Sequence, residues 1–331
     1  MLIKDIGEQG LLRILQKFCP AEIVGDDCAV MATTPNQSLA ITTDMLVEGV
    51  HFSDRTTGPY YAGWRAAAAN LSDLAAMGAK PLAVTVALAV AADTAVEWVE
   101  EFYRGMTACL QEYDTPIVGG DVVRSPVVTV AITAFGQVEC DRTISRSNAR
   151  SGWAIVATGI HGASRAGLEL LLNPEFGQNL SEVDRASLIL AHQRPKPRLD
   201  VLPVVWEILD SAGEFSIAGM DSSDGLADAI IQICRASGVG AKVDRTKIPI
   251  PNIFSEIVST EKGLDWALYG GEDFELVLFL PIANAELLLE KIGNGAAIVG
   301  IATDSSDIWL TDSSGIYPDA ILKLDQGFQH F

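Results

Sequence analysis

Apolar runs alternate with polar turns along the first 140 residues, and this pattern predicts strands that alternate with helices. Residues 39–43 (LAITT) and 82–90 (LAVTVALAV) are apolar and rich in β-branched side chains, so each predicts a strand. Residues 61–77, between them, are rich in alanine and are followed by Gly78 and Pro81, which predicts a helix that stops there. Such alternation is typical of α/β and α+β domains.

The rest of this half continues the pattern. Thr94 and Glu97 have the spacing of a capping box, which predicts a helix that starts there and reaches about Tyr113. Residues 116–118 predict a short strand that ends in the Gly119-Gly120-Asp121 turn, and residues 127–135 predict the next strand.

A polar stretch at residues 145–152 predicts the boundary between two domains, 1–148 and 149–331. A chain of 331 residues is long enough for two domains of about 100–200 residues each. Beyond the boundary, residues 153–158 predict a new strand, and a helix is expected from about Ser164. Residues 194–198 (RPKPR) predict a rigid connector, because proline does not fit inside a helix. We therefore expect a two-domain α/β (α+β) protein.

Charge and composition exclude several classes of protein. The chain has 23 basic and 43 acidic residues and a net charge of −20, which disfavours binding to nucleic acid and to anionic membranes. Its longest apolar stretch, residues 82–92, is far shorter than the roughly 20 residues of a membrane helix. The five cysteines form no C-x-x-C motif, which favours reduced thiols and a cytoplasmic protein.

Familiar catalytic motifs are missing from the sequence. It has no P-loop, no H-R-D catalytic loop, no complete G-x-G-x-x-G and no H-E-x-x-H. The sequence therefore gives no support for a classical nucleotide-binding fold, a hydrolase triad or a zinc protease.

Acidic residues recur instead beside glycine, serine or threonine. The sites are Asp26-Asp27, Asp44, Asp73, Asp121, Asp221 with Asp224, and Glu272-Asp273. Carboxylate oxygens suit Mg²⁺, and neighbouring glycines let main-chain N–H groups approach phosphate. Converging carboxylates repel one another unless cations lie between them. The pattern thus indicates a site with several Mg²⁺ ions for a polyphosphate nucleotide.

Simpler interpretations of these sites stay open at this point. Asp26-Asp27 is equally typical of a turn, and residues 221–225 of a helix N-cap. A single aspartate in a helix, such as Asp73, is more often on a solvated face. Spacing alone does not show that the sites meet in space.

The same segments, in this order, resemble the thiamine-monophosphate kinase family, within the superfamily that includes aminoimidazole ribonucleotide synthetase. The matching segments are GDDCAV (25–30), TTDMLVEGVHF (42–52), NLSDLAAMGAKP (70–81), GGD (119–121), DSSDGLADAI (221–230) and GGEDFEL (270–276). The resemblance covers the chain to about residue 280, and TTDMLVEGVHF is its most specific motif.

The resemblance implies an N-terminal domain like that of aminoimidazole ribonucleotide synthetase, which binds ATP and metal and pairs with a second copy in a homodimer. A C-terminal α/β domain closes the active site. The implied reaction is the Mg²⁺-dependent transfer of a phosphoryl group from ATP to thiamine phosphate, giving thiamine diphosphate and ADP. Another ATP-using member of the superfamily and a non-catalytic relative are the alternatives.

The resemblance also implies roles for individual residues. The metal-site set is Asp26, Thr42, Thr43, Asp44, Asp73, Asp121, Asp221 and Asp224. The ATP contacts are Gly120, Asp121, Arg146 and Ser223. The contacts to the thiamine moiety are His51, Glu272 and Tyr317. His51 is otherwise a loop histidine, Glu272 a residue that follows a turn, and Arg146 a surface arginine whose following residues, Ser147-Asn148, depart from the family pattern.

No residue is expected to act as a general acid or base. The second pKa of a phosphate monoester is near 6, so the acceptor is largely deprotonated at pH 7. Phosphoryl transfer then depends on positioning and charge neutralisation, which predicts direct in-line transfer without a phosphoenzyme.

Overall fold

The computed structural model describes residues 1–20, 29, 31–213, 215–293, 295–324 and 327. The chain divides into two compact units, one of residues 1–74 and 79–140 and the other of residues 75–78 and 141–331. Within the described ranges, no helix is long and apolar enough to cross a membrane.

The first unit is built on a four-stranded sheet. Its elements are α1 (Ile3–Leu15), β1 (Gln37–Val47), α2 (Pro59–Ala76), β2 (Lys80–Val90), α3 (Val96–Gln111), β3 (Ile117–Arg124) and β4 (Thr129–Glu139). The strand order is β1-β4-β2-β3, in which β4 is antiparallel to β1 and β2, and β2 is parallel to β3. One face of this sheet is buried, and side chains that alternate along β2 and β4 supply its core.

The start of α3 differs from the capping-box prediction. The N-cap is Ala95, and no side chain caps the helix. The first N–H group of the helix, that of Val96, donates instead to Met1 O at 3.0 Å. A second main-chain bond, from Ile3 N–H to Thr94 O at 3.0 Å, holds the chain's first residues beside the helix start. The capping box was wrong because a distant segment satisfies the helix end.

The Gly119-Gly120-Asp121 segment also differs from its prediction. These residues lie inside β3 and not in a turn after it, because β3 continues alongside β2 as far as Arg124. A Cβ atom on Gly120 would lie 2.0 Å from Val86 O, so the strands could not approach this closely with any other residue. The glycines therefore serve strand packing at this point.

The second unit is built on a seven-stranded sheet of order β11-β10-β7-β9-β5-β8-β6. Its strands are β5 (Ala154–Ala157), β6 (Ala218–Asp221), β7 (Gly240–Asp244), β8 (Leu276–Leu280), β9 (Ala297–Thr303), β10 (Ile308–Thr311) and β11 (Ala320–Ile321). Its helices are α4 (Ala163–Leu172), α5 (Glu182–Gln193), α6 (Leu202–Ala212), α7 (Leu226–Ser237), α8 (Phe254–Ile257), α9 (Thr260–Tyr269) and α10 (Ile282–Ile292). Strands β5 and β8 are buried throughout, as expected of central strands covered on both faces.

Several predicted elements of this unit are confirmed. The strand expected at residues 153–158 is β5, and the helix expected from about Ser164 is α4. Residues 194–198 follow α5 without helical structure, as their two prolines predict.

Candidate active site

In the first unit, predicted ligands on β1 face the alanine-rich helix α2. The Thr42 hydroxyl donates a short hydrogen bond to Asp73 Oδ2, and Asp44 N–H donates to Asn70 Oδ1 at 3.2 Å. Most alanines of α2, including residues 66–68, are fully buried, which lets the helix lie close to the sheet. Asp73 is therefore not on a solvated face. We call Thr42, Asp44, Asn70 and Asp73 the strand site.

Two other predicted ligands lie on the opposite face of the same sheet. Side chains alternate along a strand, so Thr43 points away from Thr42 and Asp44. The Thr43 hydroxyl is 2.9 Å from that of Thr133 on β4, and Asp121 lies exposed on β3. Three strand spacings of about 4.8 Å separate β1 from β3, so the Asp44 and Asp121 side chains do not share one ion within this unit.

His51 is held in the turn that follows β1. Val47 N–H donates to His51 Nδ1 at 3.0 Å, and the buried Arg65 donates to His51 O at 3.1 Å. Because Nδ1 accepts this bond, the imidazole is neutral and its proton is on Nε2. Nδ1 is thus occupied by the main chain, which suits a binding role for His51 better than proton abstraction.

In the second unit, residues 221–225 form a tight turn between β6 and α7. Asp221 is buried, and its Oδ1 accepts a hydrogen bond from the Ser223 hydroxyl at 3.1 Å. The N-cap of α7 is Gly225, which lies within the segment predicted as a possible N-cap, and the N-cap residue is the glycine and not one of the aspartates.

A second turn, residues 270–274, packs against the first. Gly271, Glu272 and Phe274 all have positive φ values of 65°, 60° and 53°, an uncommon run that the surroundings must impose. Glu272 N–H donates to Ser223 O at 2.7 Å, which joins the predicted thiamine contact to the predicted ATP contact. We call residues 221–225 and 270–274 together the turn site.

Buried charge supports the turn site. The Asp273 carboxylate accepts main-chain bonds from Gly162 at 2.6 Å and Ser164 at 2.9 Å, at the start of α4. Burial of that carboxyl group raises its pKa to about 7, because the two N–H donors only partly offset the loss of water. Glu275, on the same segment, forms an ion pair with Arg198.

Two buried histidines next to this segment were missed by the sequence analysis. His161 Nε2 is 3.0 Å from the Ser222 hydroxyl, and burial lowers the pKa of His161 to about 4. His192 Nδ1 is 3.2 Å from the Ser164 hydroxyl and 3.6 Å from Glu272 Oε2. Neither histidine lies in a motif, so the sequence carries no signal for them. Arg198 lies in the RPKPR segment, which the sequence predicts only as a rigid connector.

Arg146 and Tyr317 have separate surroundings in the second unit. Arg146 is exposed, and its carbonyl accepts a hydrogen bond from Ser237 at the end of α7 at 2.7 Å. Tyr317 donates to Glu261 in the first turn of α9 at 3.0 Å, with Arg245 over its ring. Glu272 follows the other end of α9, about 12 Å along the helix from Glu261. The structure therefore does not place Tyr317 beside Glu272.

The available donors suit Mg²⁺, although they do not form a complete cage. Among the described residues, no three His, Cys, Asp or Glu side chains converge on a point that could hold a metal ion. The predicted ligands of both sites are carboxylate and hydroxyl oxygens, which are hard donors. Mg²⁺ commonly binds one or two carboxylates and completes its shell with water and substrate phosphates, and the donor set fits that pattern. Asp26 lies outside the described residues.

Comparison with known proteins agrees with this chemistry. A family model described as AIR synthase related protein, N-terminal domain, matches residues 25–138. The thiamine-monophosphate kinase of Synechococcus elongatus is 49% identical over 99% of this chain and 98% of its own length. The crystal structure of thiamine-monophosphate kinase from Stenotrophomonas maltophilia is 31% identical, covers 86% of this chain and 88% of its own, and superposes with a TM-score of 0.76.

A further solved structure shows a relative with two ligands. AaThiL complexed with AMPPCP and TMP is 29% identical to this chain, covers 97% of this chain and 98% of its own, and superposes with a TM-score of 0.73. Similarity therefore extends over both units.

Proposed function

Because the chain belongs to the thiamine-monophosphate kinase family, we propose that it transfers the terminal phosphoryl group of ATP to thiamine monophosphate. The observation that carries this proposal is the 49% identity to a thiamine-monophosphate kinase over nearly the whole chain. The relative complexed with AMPPCP and TMP supports the same pair of substrates, since AMPPCP is the methylene analogue of ATP.

The reaction is a direct displacement. A phosphate oxygen of thiamine monophosphate forms a bond to the terminal phosphorus of ATP, the bridging P–O bond breaks, and ADP leaves. The acceptor oxygen is already deprotonated near neutral pH, so no side chain has to take a proton from it. His51 fits this scheme, because its Nδ1 already accepts a main-chain bond and is not needed to take a proton.

The metal-binding residues in this proposal are the acidic set with its threonines. They are Asp26, Thr42, Thr43, Asp44, Asp73, Asp121, Asp221 and Asp224. Bound Mg²⁺ supplies positive charge that offsets the phosphates of both substrates. The chain's own part is to hold its carboxylates in place, as the Thr42–Asp73 and Ser223–Asp221 hydrogen bonds do.

The remaining contacts are assigned to ATP and to the thiamine moiety. Gly120, Asp121, Arg146 and Ser223 bind ATP, and Glu272 and His51 bind the thiamine moiety. Tyr317 is assigned to the thiamine moiety as well, and it lies at the far end of α9 from Glu272.

The active form in this proposal is a homodimer that pairs through the exposed face of the first unit's sheet. Leu39, Ile41 and Met45 on β1 are 50%, 58% and 54% exposed, and Val123 on β3 is 51% exposed. Several exposed large apolar side chains on one sheet face are typical of an interface. Thr43 and Asp121 share this face, so they would act at the dimer interface. Sedimentation at a mass twice the 35.3 kDa of one chain is the expected result.

The proposed location is the cytoplasm, where ATP is available. The four cysteines in the described ranges, Cys19, Cys109, Cys140 and Cys234, are free thiols. Free thiols are typical of a reducing compartment.

A turnover assay tests the proposed function. Protein is incubated with ATP, Mg²⁺ and thiamine monophosphate, and ADP and thiamine diphosphate are measured together. Equal amounts of both products, abolished by EDTA or by omission of the acceptor, are expected. ADP without thiamine diphosphate would indicate another acceptor within the superfamily, and ATP binding without either product would indicate a non-catalytic relative.

A further inference from the structure

A buried histidine beside the turn site has no part in the reaction as described above. His192 lies in the last turn of α5 and is 2% exposed. Burying an imidazole costs free energy unless its nitrogens find partners. Its Nδ1 faces two of them, the Ser164 hydroxyl on α4 at 3.2 Å and Glu272 Oε2 at 3.6 Å.

Close packing of α4 on α5 brings these groups together. A Cβ atom on Gly167 would lie 2.0 Å from Leu188 O and 3.1 Å from His192 Cβ, so the two helices are as close as a glycine allows. Ser164 is itself 1% exposed and is anchored by its N–H to Asp273. Ser164 and His192 therefore form a rigid support under residues 272 and 273.

Unlike the buried Ser164 and His192, Glu272 is only partly enclosed. Its side chain is 34% exposed, while its main chain is held at φ 60° by the bond to Ser223 O. A glutamate side chain has several rotamers, and fixing one on binding costs entropy that a preorganised partner reduces. The 3.6 Å separation is longer than a hydrogen bond, and contacts of this kind in active sites commonly tighten when a substrate binds.

We propose that His192, supported by Ser164, is a positioning residue that aims the Glu272 carboxylate at the thiamine moiety of the substrate. This inference rests on the proposed function. It explains why a buried imidazole lies next to the proposed substrate-binding carboxylate of Glu272. Because it acts through Glu272, it affects the affinity for thiamine monophosphate and leaves the ATP side of the reaction unchanged.

Two substitutions at position 192 separate positioning from packing. His192→Asn keeps a polar group near the place of Nδ1, whereas His192→Gln moves it towards the place of Nε2. We expect His192→Gln to raise the KM for thiamine monophosphate about tenfold, with the KM for ATP and kcat within about twofold of wild type. His192→Asn is expected to recover most of that loss. Ser164→Ala is expected to raise the same KM by a few fold.

Controls make each outcome decisive. Ser187→Ala, an exposed serine on the same helix, is expected to match wild type in all three constants. Melting temperatures identify variants that fail to fold. If both His192 variants fail to fold, Ser164→Ala still tests the inference. Glu272→Gln is expected to raise the KM for thiamine monophosphate at least as much as His192→Gln.

Three results would overturn the inference. The first is an unchanged KM for thiamine monophosphate in folded His192→Gln and Ser164→Ala. The second is a change in kcat or in the KM for ATP of these variants instead. The third is an unchanged KM for thiamine monophosphate in Glu272→Gln. Wild-type turnover is measured first, so failure of the proposed function is seen as a lack of thiamine diphosphate before any variant is compared.

Discussion

The strand site and the turn site hold similar acidic side chains by different means. The strand site uses regular structure, because alternation along β1 sends Thr42 and Asp44 to α2 and sends Thr43 to the other face. The turn site uses irregular backbone, with positive φ at Gly271, Glu272 and Phe274. In the strand site, strand geometry orients the carboxylates. In the turn site, buried side chains that contact the turns are needed to hold the carboxylates in place.

The difference is visible in the supporting groups. Asn70 and the Thr42 hydroxyl support the strand site with short-range polar contacts from one helix and one strand. The turn site depends on Asp273, Glu275 with Arg198, and His161, which are ionisable groups in enclosed surroundings. Substitutions in the strand site should therefore affect catalysis more than stability, and substitutions around the turn site should affect both.

The largest effect is expected at the strand site. Asp44→Asn removes the charge of a proposed Mg²⁺ ligand and keeps its shape, so we expect kcat to fall by about 100-fold or more. The melting temperature should stay within a few degrees of wild type, because Asp44 is partly exposed and its main-chain bond to Asn70 remains. Steady-state kinetics with a thermal melt checks both points. Near-normal turnover would remove Asp44 from the metal site.

At the turn site, the next largest effect is expected on stability. Gly225→Ala puts a side chain at φ 108° and 2.6 Å from Leu268 O, which should lower the free energy of unfolding by about 2–4 kcal/mol. The matched control is Gly238→Ala at the other end of α7, where φ is 68° and no atom lies within 4 Å. That change should cost only about 1 kcal/mol. Equal losses in denaturant unfolding would show that the turn is not tightly packed.

The pH dependence of stability tests the buried support of the turn site. The pKa of His161 is about 4 in the folded chain and near 6.5 when unfolded, so between these values only the unfolded chain binds the proton. Stability from this group is therefore full above about pH 6.5 and is lost as the pH falls towards 4.

His161→Asn removes this linkage. The unfolding free energy of wild type minus that of the variant should decrease by on the order of 3 kcal/mol from pH 6.5 to pH 4. Asp273 has the opposite slope because its pKa is raised, but it is present in both proteins and cancels in the difference. Chemical denaturation at several pH values measures the difference, and a constant value would contradict the assignment.

The smallest effect is expected on the KM for Mg²⁺, when threonines on the two faces of β1 are replaced. Thr42→Val removes the donor to Asp73 and keeps the shape, so the KM for Mg²⁺ should rise by about fivefold to tenfold. Thr43→Val acts on the opposite face and should raise it less. Titration of activity with Mg²⁺ compares the two variants. An equal rise of the KM for Mg²⁺ in both would mean that the face of β1 on which a threonine lies does not determine its contribution to Mg²⁺ binding.

Sequence patterns predicted the regular parts of the molecule well. Strand β1, helix α2, strand β2 and the connector at residues 194–198 are all present, because each depends on local periodicity or on proline. The alternation that separates Thr42 from Thr43 also follows from the sequence once β1 is assigned.

Long-range contacts explain what could not be predicted. Helix α3 starts at Val96 because Met1 O accepts a bond from its first N–H group, and residues 119–121 stay in β3 because β2 lies beside them. His192 reaches Glu272 across 80 positions of sequence only because Gly167 lets two helices touch. None of these pairings has a local signal, so they require the folded structure.

The most direct test of the account follows the phosphoryl group itself. Protein is mixed with ATP labelled at the terminal phosphate, Mg²⁺ and thiamine monophosphate, and the label is located after an acid quench at short times. Direct transfer predicts one labelled thiamine diphosphate for each ADP, with no label on the protein. Label on the protein before it reaches thiamine diphosphate would contradict direct transfer, and label found only in inorganic phosphate would contradict the proposed acceptor.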